Sequence, residues 1–137
     1  MKYWCLVLAL IILVPFSARA ESSDPQVRVL ARTSKSWDGQ LLPTYPKGQP
    51  EITILEISIP AGTELPMHLH PVINAGVLLQ GELAVITEQG EVLILEPGDA
   101  IVEVVDKWHY GLSQGQEPAR IIVFYAGILD EPVTVSQ

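Results

Sequence analysis

An all-β fold is what this sequence predicts, on three observations. From Val27 onward the apolar residues come in short runs of about five to eight, the length of strands rather than helices. Between the runs stand turn-formers: Pro60-Ala61-Gly62, Gln80-Gly81, Gln89-Gly90, Pro97-Gly98-Asp99 and Gly115-Gln116-Glu117-Pro118. No stretch carries a 3.6-residue apolar stripe long enough for a helix. About eight strands in roughly a hundred residues cannot lie in one open sheet without exposing edges and an apolar face, so a closed barrel or two-sheet sandwich is expected.

The chain has 137 residues, enough for one domain, and residues 1–20 carry the marks of an export signal. Lys2 supplies a positive start, Cys5 to Val14 is uniformly apolar, and Ala18-Arg19-Ala20 is a small-x-small cleavage site. Ten apolar residues ending at Pro15 fall short of the ~20 that a spanning helix needs. Cleavage before Glu21 is therefore expected rather than an uncleaved anchor, giving a periplasmic or secreted protein with no membrane attachment after signal cleavage. The single cysteine, Cys5, leaves with the signal, so the mature chain has neither a disulfide nor a thiolate ligand. Lys2 and Arg19 leave too, and the remaining 6 basic and 16 acidic residues give a net charge of −10. Nucleic acid is excluded as a partner, because phosphate binding requires a basic face.

Residues 21–50 read as an N-terminal arm and loop. Val27 to Ala31 is the first apolar run and a predicted strand. Ser34 to Pro50 is a loop, since its three prolines and two glycines forbid regular pairing. Yet Trp37, Leu41, Leu42 and Tyr45 are too apolar for a free linker, and fit a segment that folds over an edge or mouth or packs against a second subunit. Residues 51–137 form the barrel domain, with runs at Ile52 to Ile59, Ala75 to Leu79, Glu82 to Thr87, Val92 to Leu95, Ala100 to Val105, Trp108 to Leu112 and Arg120 to Tyr125. In the first of these, Leu55, Ile57 and Ile59 share one face, while Glu56 and Ser58 share the other with Ile52 and Ile54.

The chain has three histidines: the pair His68-Leu69-His70, and His109 near the start of a later run. Residues two apart on an extended strand project from the same face, so His68 and His70 can grip one ion, and His109 can complete a three-imidazole site from a neighbouring strand. The alternative, three ordinary polar residues at strand ends, is weaker because every histidine of the chain falls in this pattern.

From Gly62, five residues lead to His68, one to His70, three to Asn74 and six to Gly81. This resembles the first signature of the cupin superfamily, G-x5-H-x-H-x3-E-x6-G, with Asn74 where the family usually has glutamate. From Gly98, five residues lead to Val104, one to Asp106, two to His109 and three to Ser113. This is similar to the second signature, G-x5-P-x-G-x2-H-x3-N, with valine, aspartate and serine in place of the proline, the second glycine and the asparagine. The resemblance implies a small exported single-domain cupin: a double-stranded β-helix, or jelly-roll barrel, with a divalent metal ion inside. The implied ligands are His68, His70 and His109, with Asn74 as an optional fourth.

Asn74 alters the chemistry, because an amide is neutral and not basic where a glutamate would bring negative charge. Its other reading is a turn residue in the connection from Val72 to Gly76. Three neutral imidazoles leave a more positive ion, which favours an anionic ligand such as a carboxylate or enolate. Imidazole suits zinc, iron, nickel, manganese or copper. Met67 is expected to be core filler, and Trp108 and Tyr110 to lie opposite His109. Asp106 and Lys107 are expected to turn the chain into the strand of His109, and Glu56, Glu82 and Glu103 read as outward charges. Two functions follow: an exported metal-binding module that captures a small ligand, and a metalloenzyme of dioxygenase, isomerase or decarboxylase type. The absent carboxylate and the lack of a nameable base favour the first. Barrels of this kind pair through edges or arms, and a homodimer is expected.

Overall fold

Residues 24–137 are described by the structure, a computed structural model, and they form nine strands and no helix. The expected signal, residues 1–20, lies outside the described residues. One sheet has the order β1 (Pro50–Ile59), β8 (Ala119–Ile128), β3 (Ile73–Gln80), β6 (Ala100–Val102). The other runs β5 (Val92–Leu95), β4 (Leu83–Thr87), β7 (His109–Ser113), β2 (His68–Leu69), β9 (Val135–Ser136). All neighbours are antiparallel, and the chain crosses repeatedly from one sheet to the other, as a double-stranded β-helix does.

The alternation in β1 behaves as its sequence reads. Leu55, Ile57 and Ile59 face the interior, whereas Ile52 and Ile54 point outward. In β8 and β3 the inward positions are Ile121, Val123, Tyr125, Asn74 and Leu78, matched from the other sheet by Leu83, Val85 and Leu95. Burying each such aliphatic side chain contributes about 1.5–3 kcal/mol.

Several expectations change. Val27 to Ala31 is not a strand: Val27 and Val29 are exposed, and no sheet edge is offered to them. The edge beside β6 is taken instead by the loop, where the Trp37 N–H donates to the Val102 carbonyl at 2.9 Å. The run Ala100 to Val105 is strand only as far as Val102, because the backbone then bends through Asp106 at φ 54°, in the left-handed region. Asp106 occupies the position of the signature's second glycine, and aspartate is one of the few residues that tolerates that region. The turn expected at Asp106 and Lys107 is therefore present. Of the two-residue strands, β2 falls on the histidine pair, where an extended strand is expected, and ends at Leu69, whereas β9 was not expected, being too short to display a period.

Candidate metal centre

His68 lies on β2 and His109 opens β7, and the two are directly opposite in the register of that strand pair. His70 follows β2, where its carbonyl accepts the Asp106 N–H at 2.9 Å and so ties the end of one histidine strand to the turn that precedes the other. Ring centroids are 5.0 Å apart for His68 and His70, 4.5 Å for His68 and His109, and 5.1 Å for His70 and His109. One nitrogen from each ring lies within 4.8 Å of the others, so the three histidines come together as their spacing suggests.

Each ring has one nitrogen committed elsewhere. Nδ1 of His68 lies 2.8 Å from the Pro66 carbonyl, Nδ1 of His70 2.8 Å from the Val133 carbonyl, and Nδ1 of His109 2.9 Å from the Lys107 carbonyl. A carbonyl oxygen only accepts, so each Nδ1 carries the proton and each Nε2 is left with a lone pair. Burial, the largest influence, holds His68 and His109 below the ordinary imidazole value. It takes His70 down to about 4, with the neighbouring imidazoles adding to it against the pull of the Val133 carbonyl. All three rings are thus neutral near pH 7, the form that binds a metal ion.

The site lines a cavity of about 270 Å³. That is near the lower end for ligand pockets, the size of a small metabolite. Leu55, Ile57, Leu65, Val85, Ile121 and Val123 form apolar walls, and the polar groups gather at His68, His70, His109, Asn74, Glu103, Tyr125, Thr134 and Ser136. Asn74 is 3 % exposed and sits within β3, facing the cavity, with Nδ2 3.4 Å from the Val72 carbonyl. It is a strand residue, so the turn reading is set aside.

Glu103 is the main correction. It is buried, it lines the cavity, and its Oε2 stands 3.8 Å from Nε2 of His109. Its Oε1 accepts the indole N–H of Trp37 at 2.7 Å and the Val104 N–H at 2.8 Å. Burial pushes its carboxyl upward, while these two donors favour the charged form. Glu103 is two residues from Ile101, which the structure places in the core, and so shares its inward face. Glu56 does point outward, 3.5 Å from Arg120. Met67, Trp108 and Tyr110 do not line the cavity, and Tyr110 pairs with Ile86 on the opposite face from His109.

The loop before β1 braces the site from outside. Asp38 accepts from Ser36 Oγ at 2.6 Å and the Gln40 N–H at 3.1 Å, and pairs with Lys107 at 2.9 Å. Lys107 also meets Glu91, and its own carbonyl is the one that orients His109. Residues 36–38 therefore brace the site twice, through Trp37 to Glu103 and through Asp38 to Lys107, whose carbonyl holds His109.

The cupin domain model matches residues 55–125, and the chain belongs to the cupin superfamily. The double-stranded β-helix and the histidine cluster agree with that membership. Among solved structures it is similar to an oxalate oxidase in complex with the substrate analogue glycolate, with 20 % identity over 62 % of this chain and a TM-score of 0.53. It is also similar to the DMSP lyase DddQ from Ruegeria pomeroyi, with 23 % identity over 66 % of this chain and a TM-score of 0.52. The chain spans 45 % and 44 % of those two chains. An uncharacterised conserved protein with a double-stranded β-helix domain from Klebsiella pneumoniae matches over 66 % of this chain and 76 % of its own, at 19 % identity and a TM-score of 0.52. No curated protein matches the sequence.

Proposed function

We propose that this protein is an exported cupin that holds a divalent transition-metal ion on His68, His70 and His109 and admits a small anionic ligand, such as a carboxylate, to the cavity beside it. The observation that carries this reading is the commitment of all three Nδ1 protons to backbone carbonyls, which leaves three Nε2 lone pairs on rings gathered at one point. A bound ion supplies positive charge to attract and polarise an anionic oxygen. The chain's own residues do the rest. The apolar walls exclude water and sharpen the electrostatics, the cavity volume selects a small ligand, and the Asn74 amide is placed to hydrogen-bond it or to lend an oxygen as a fourth ligand. The imidazole set suits zinc, iron, nickel, manganese or copper. Export to the periplasm or medium rests on Lys2, the apolar segment after it and Ala18-Arg19-Ala20. The mature chain is proposed to act as a homodimer.

Elemental analysis of the purified protein tests the centre. His68→Ala and His109→Ala are each expected to lower bound metal to near zero. Metal content that survives both changes sinks the three-histidine site.

A second reading, a metalloenzyme acting on a small metabolite, gains from Glu103. The case for a purely binding role rested on a missing carboxylate, and a buried one stands beside His109. Proton NMR of metal-loaded protein with small carboxylates separates the two: line broadening without new signals fits capture, and new product signals establish turnover.

A further inference from the structure

The first signature's acid is absent at Asn74, yet the barrel does not lack an acid at that place. The register of β3 and β6 pairs Ala75 with Val102, so the next opposed residues are Asn74 and Glu103, and the Glu103 N–H donates to the Asn74 carbonyl at 3.1 Å. Directly opposed residues of an antiparallel pair share a face, and both side chains line the cavity. Building on the metal centre proposed above, we infer that Glu103 replaces the missing glutamate from across the strand pair: its Oε2 is the anionic oxygen of the centre, and Trp37 is the positioning residue that holds it there.

The geometry of the carboxylate supports this role. Oε1 is occupied by two N–H donors, which fixes the plane of the group and turns Oε2 towards His109. Two ligands each about 2.1 Å from an ion lie about 3.4 Å apart in a tetrahedral arrangement, so the 3.8 Å between Oε2 and Nε2 of His109 is close to that of a ligand pair, while joining His68 and His70, whose nitrogens group with His109 within 4.8 Å without Glu103, requires the carboxylate to move inward. An outward strand glutamate would need neither burial nor an indole donor. Glu103 has both, and its Trp37 partner comes from a loop 66 residues earlier in the chain. That loop is anchored again through Asp38 and Lys107, whose carbonyl orients His109. Loop 36–38 thus sets two members of the centre together.

Cobalt(II) titration of the full purified protein tests the assignment, read by calorimetry and by the visible d–d spectrum. Glu103→Gln keeps the shape and removes the charge, and is expected to weaken cobalt binding by about 10- to 100-fold and to alter the spectrum. Asn74→Glu combined with Glu103→Gln returns the acid to the signature position and is expected to recover most of the affinity. Trp37→Phe keeps the ring without its N–H donor, and is expected to cost on the order of 10-fold in affinity while wild-type near-ultraviolet dichroism is retained. A crystal structure of the cobalt-loaded wild type gives a check that needs no variant: Oε2 of Glu103 on the ion supports the inference, and water in its place overturns it. Wild-type affinity and spectrum in Glu103→Gln also overturn it, leaving the three-histidine centre standing if His68→Ala and His109→Ala still abolish binding. Failure of the wild type to bind cobalt removes the centre and this inference together.

Discussion

His70 shows how one residue carries both the chemistry and a cost of the site. It is 5 % exposed, and its ring is held neutral down to about pH 4 chiefly by burial. In the unfolded chain the same imidazole titrates near pH 6.5. Its folded pKa is depressed, so between these values the unfolded state binds the extra proton and stability falls as the pH falls. Metal-free protein is therefore expected to be fully stabilised by this group above about pH 6.5, and to lose on the order of 3 kcal/mol of it by pH 4. Urea denaturation of the chelator-treated protein across that range measures the slope, and His70→Gln should flatten it. A wild-type slope no steeper than the variant's counts against the assignment. The three histidines were legible from sequence because their spacing is a strand-period pattern. Glu103 was not, because its run reads Ala100-Ile101-Val102-Glu103-Val104-Val105, apolar on both faces, and period two gives pairs of faces without saying which one is inside.

At the scale of elements, what was legible depended on length and on partners. Ile52 to Ile59 and the runs within β3, β4, β5, β7 and β8 were found because each has enough residues to show a period or a bounded apolar run. Val27 to Ala31 has the same composition but no edge to join, and pairing is decided by the rest of the molecule rather than by propensity. The two-residue β9 was invisible, yet it follows Val133, whose carbonyl orients His70, so part of the site's bracing comes from the C-terminal segment. Turn positions can be read further. Gly81, the last glycine of the first signature, joins β3 to β4 at φ 75°, and a Cβ there would sit 2.6 Å from the Pro118 carbonyl oxygen. Both the left-handed backbone and the contact oppose a side chain, and the opposing atom is backbone that cannot rotate away. Gly81→Ala is expected to destabilise the fold by at least about 2 kcal/mol, read as a lower midpoint in urea. A midpoint equal to that of the wild type would mean that the β3–β4 and β7–β8 turns are not packed as described.

For the whole molecule, the outer face of the β1-β8-β3-β6 sheet is the feature that a single chain leaves unexplained. Ile52, Ile54 and Phe124 are 63 %, 57 % and 47 % exposed, and they are contiguous, since Ile54 is opposite Phe124, which is opposite Ala75 on β3. Charge on this face is confined to its end, where Glu56 and Arg120 pair with each other. A second copy fits such a face, because a two-fold axis sets an apolar patch against itself without juxtaposing the like charges of an acidic chain. Area sets a further condition. Strands of at most 10 residues at about 3.3 Å per residue, in a sheet roughly 15–19 Å across, give a footprint of no more than about 500–600 Å², less than the ~800 Å² per partner of a standard interface. Val27 and Val29 of the arm, both exposed, are apolar material to supply the remainder by lying across the partner. Two variants follow from this arithmetic. Phe124→Glu places a charge at the centre of the face and is expected to give a monomer at micromolar concentration by sedimentation velocity. Replacing Val27 and Val29 together with serine leaves the sheet face intact and is expected to weaken the dimer by about 10-fold or more without abolishing it. A wild type that sediments as a monomer at micromolar concentration removes the dimer, and a dimer indifferent to Phe124→Glu moves the interface away from this sheet.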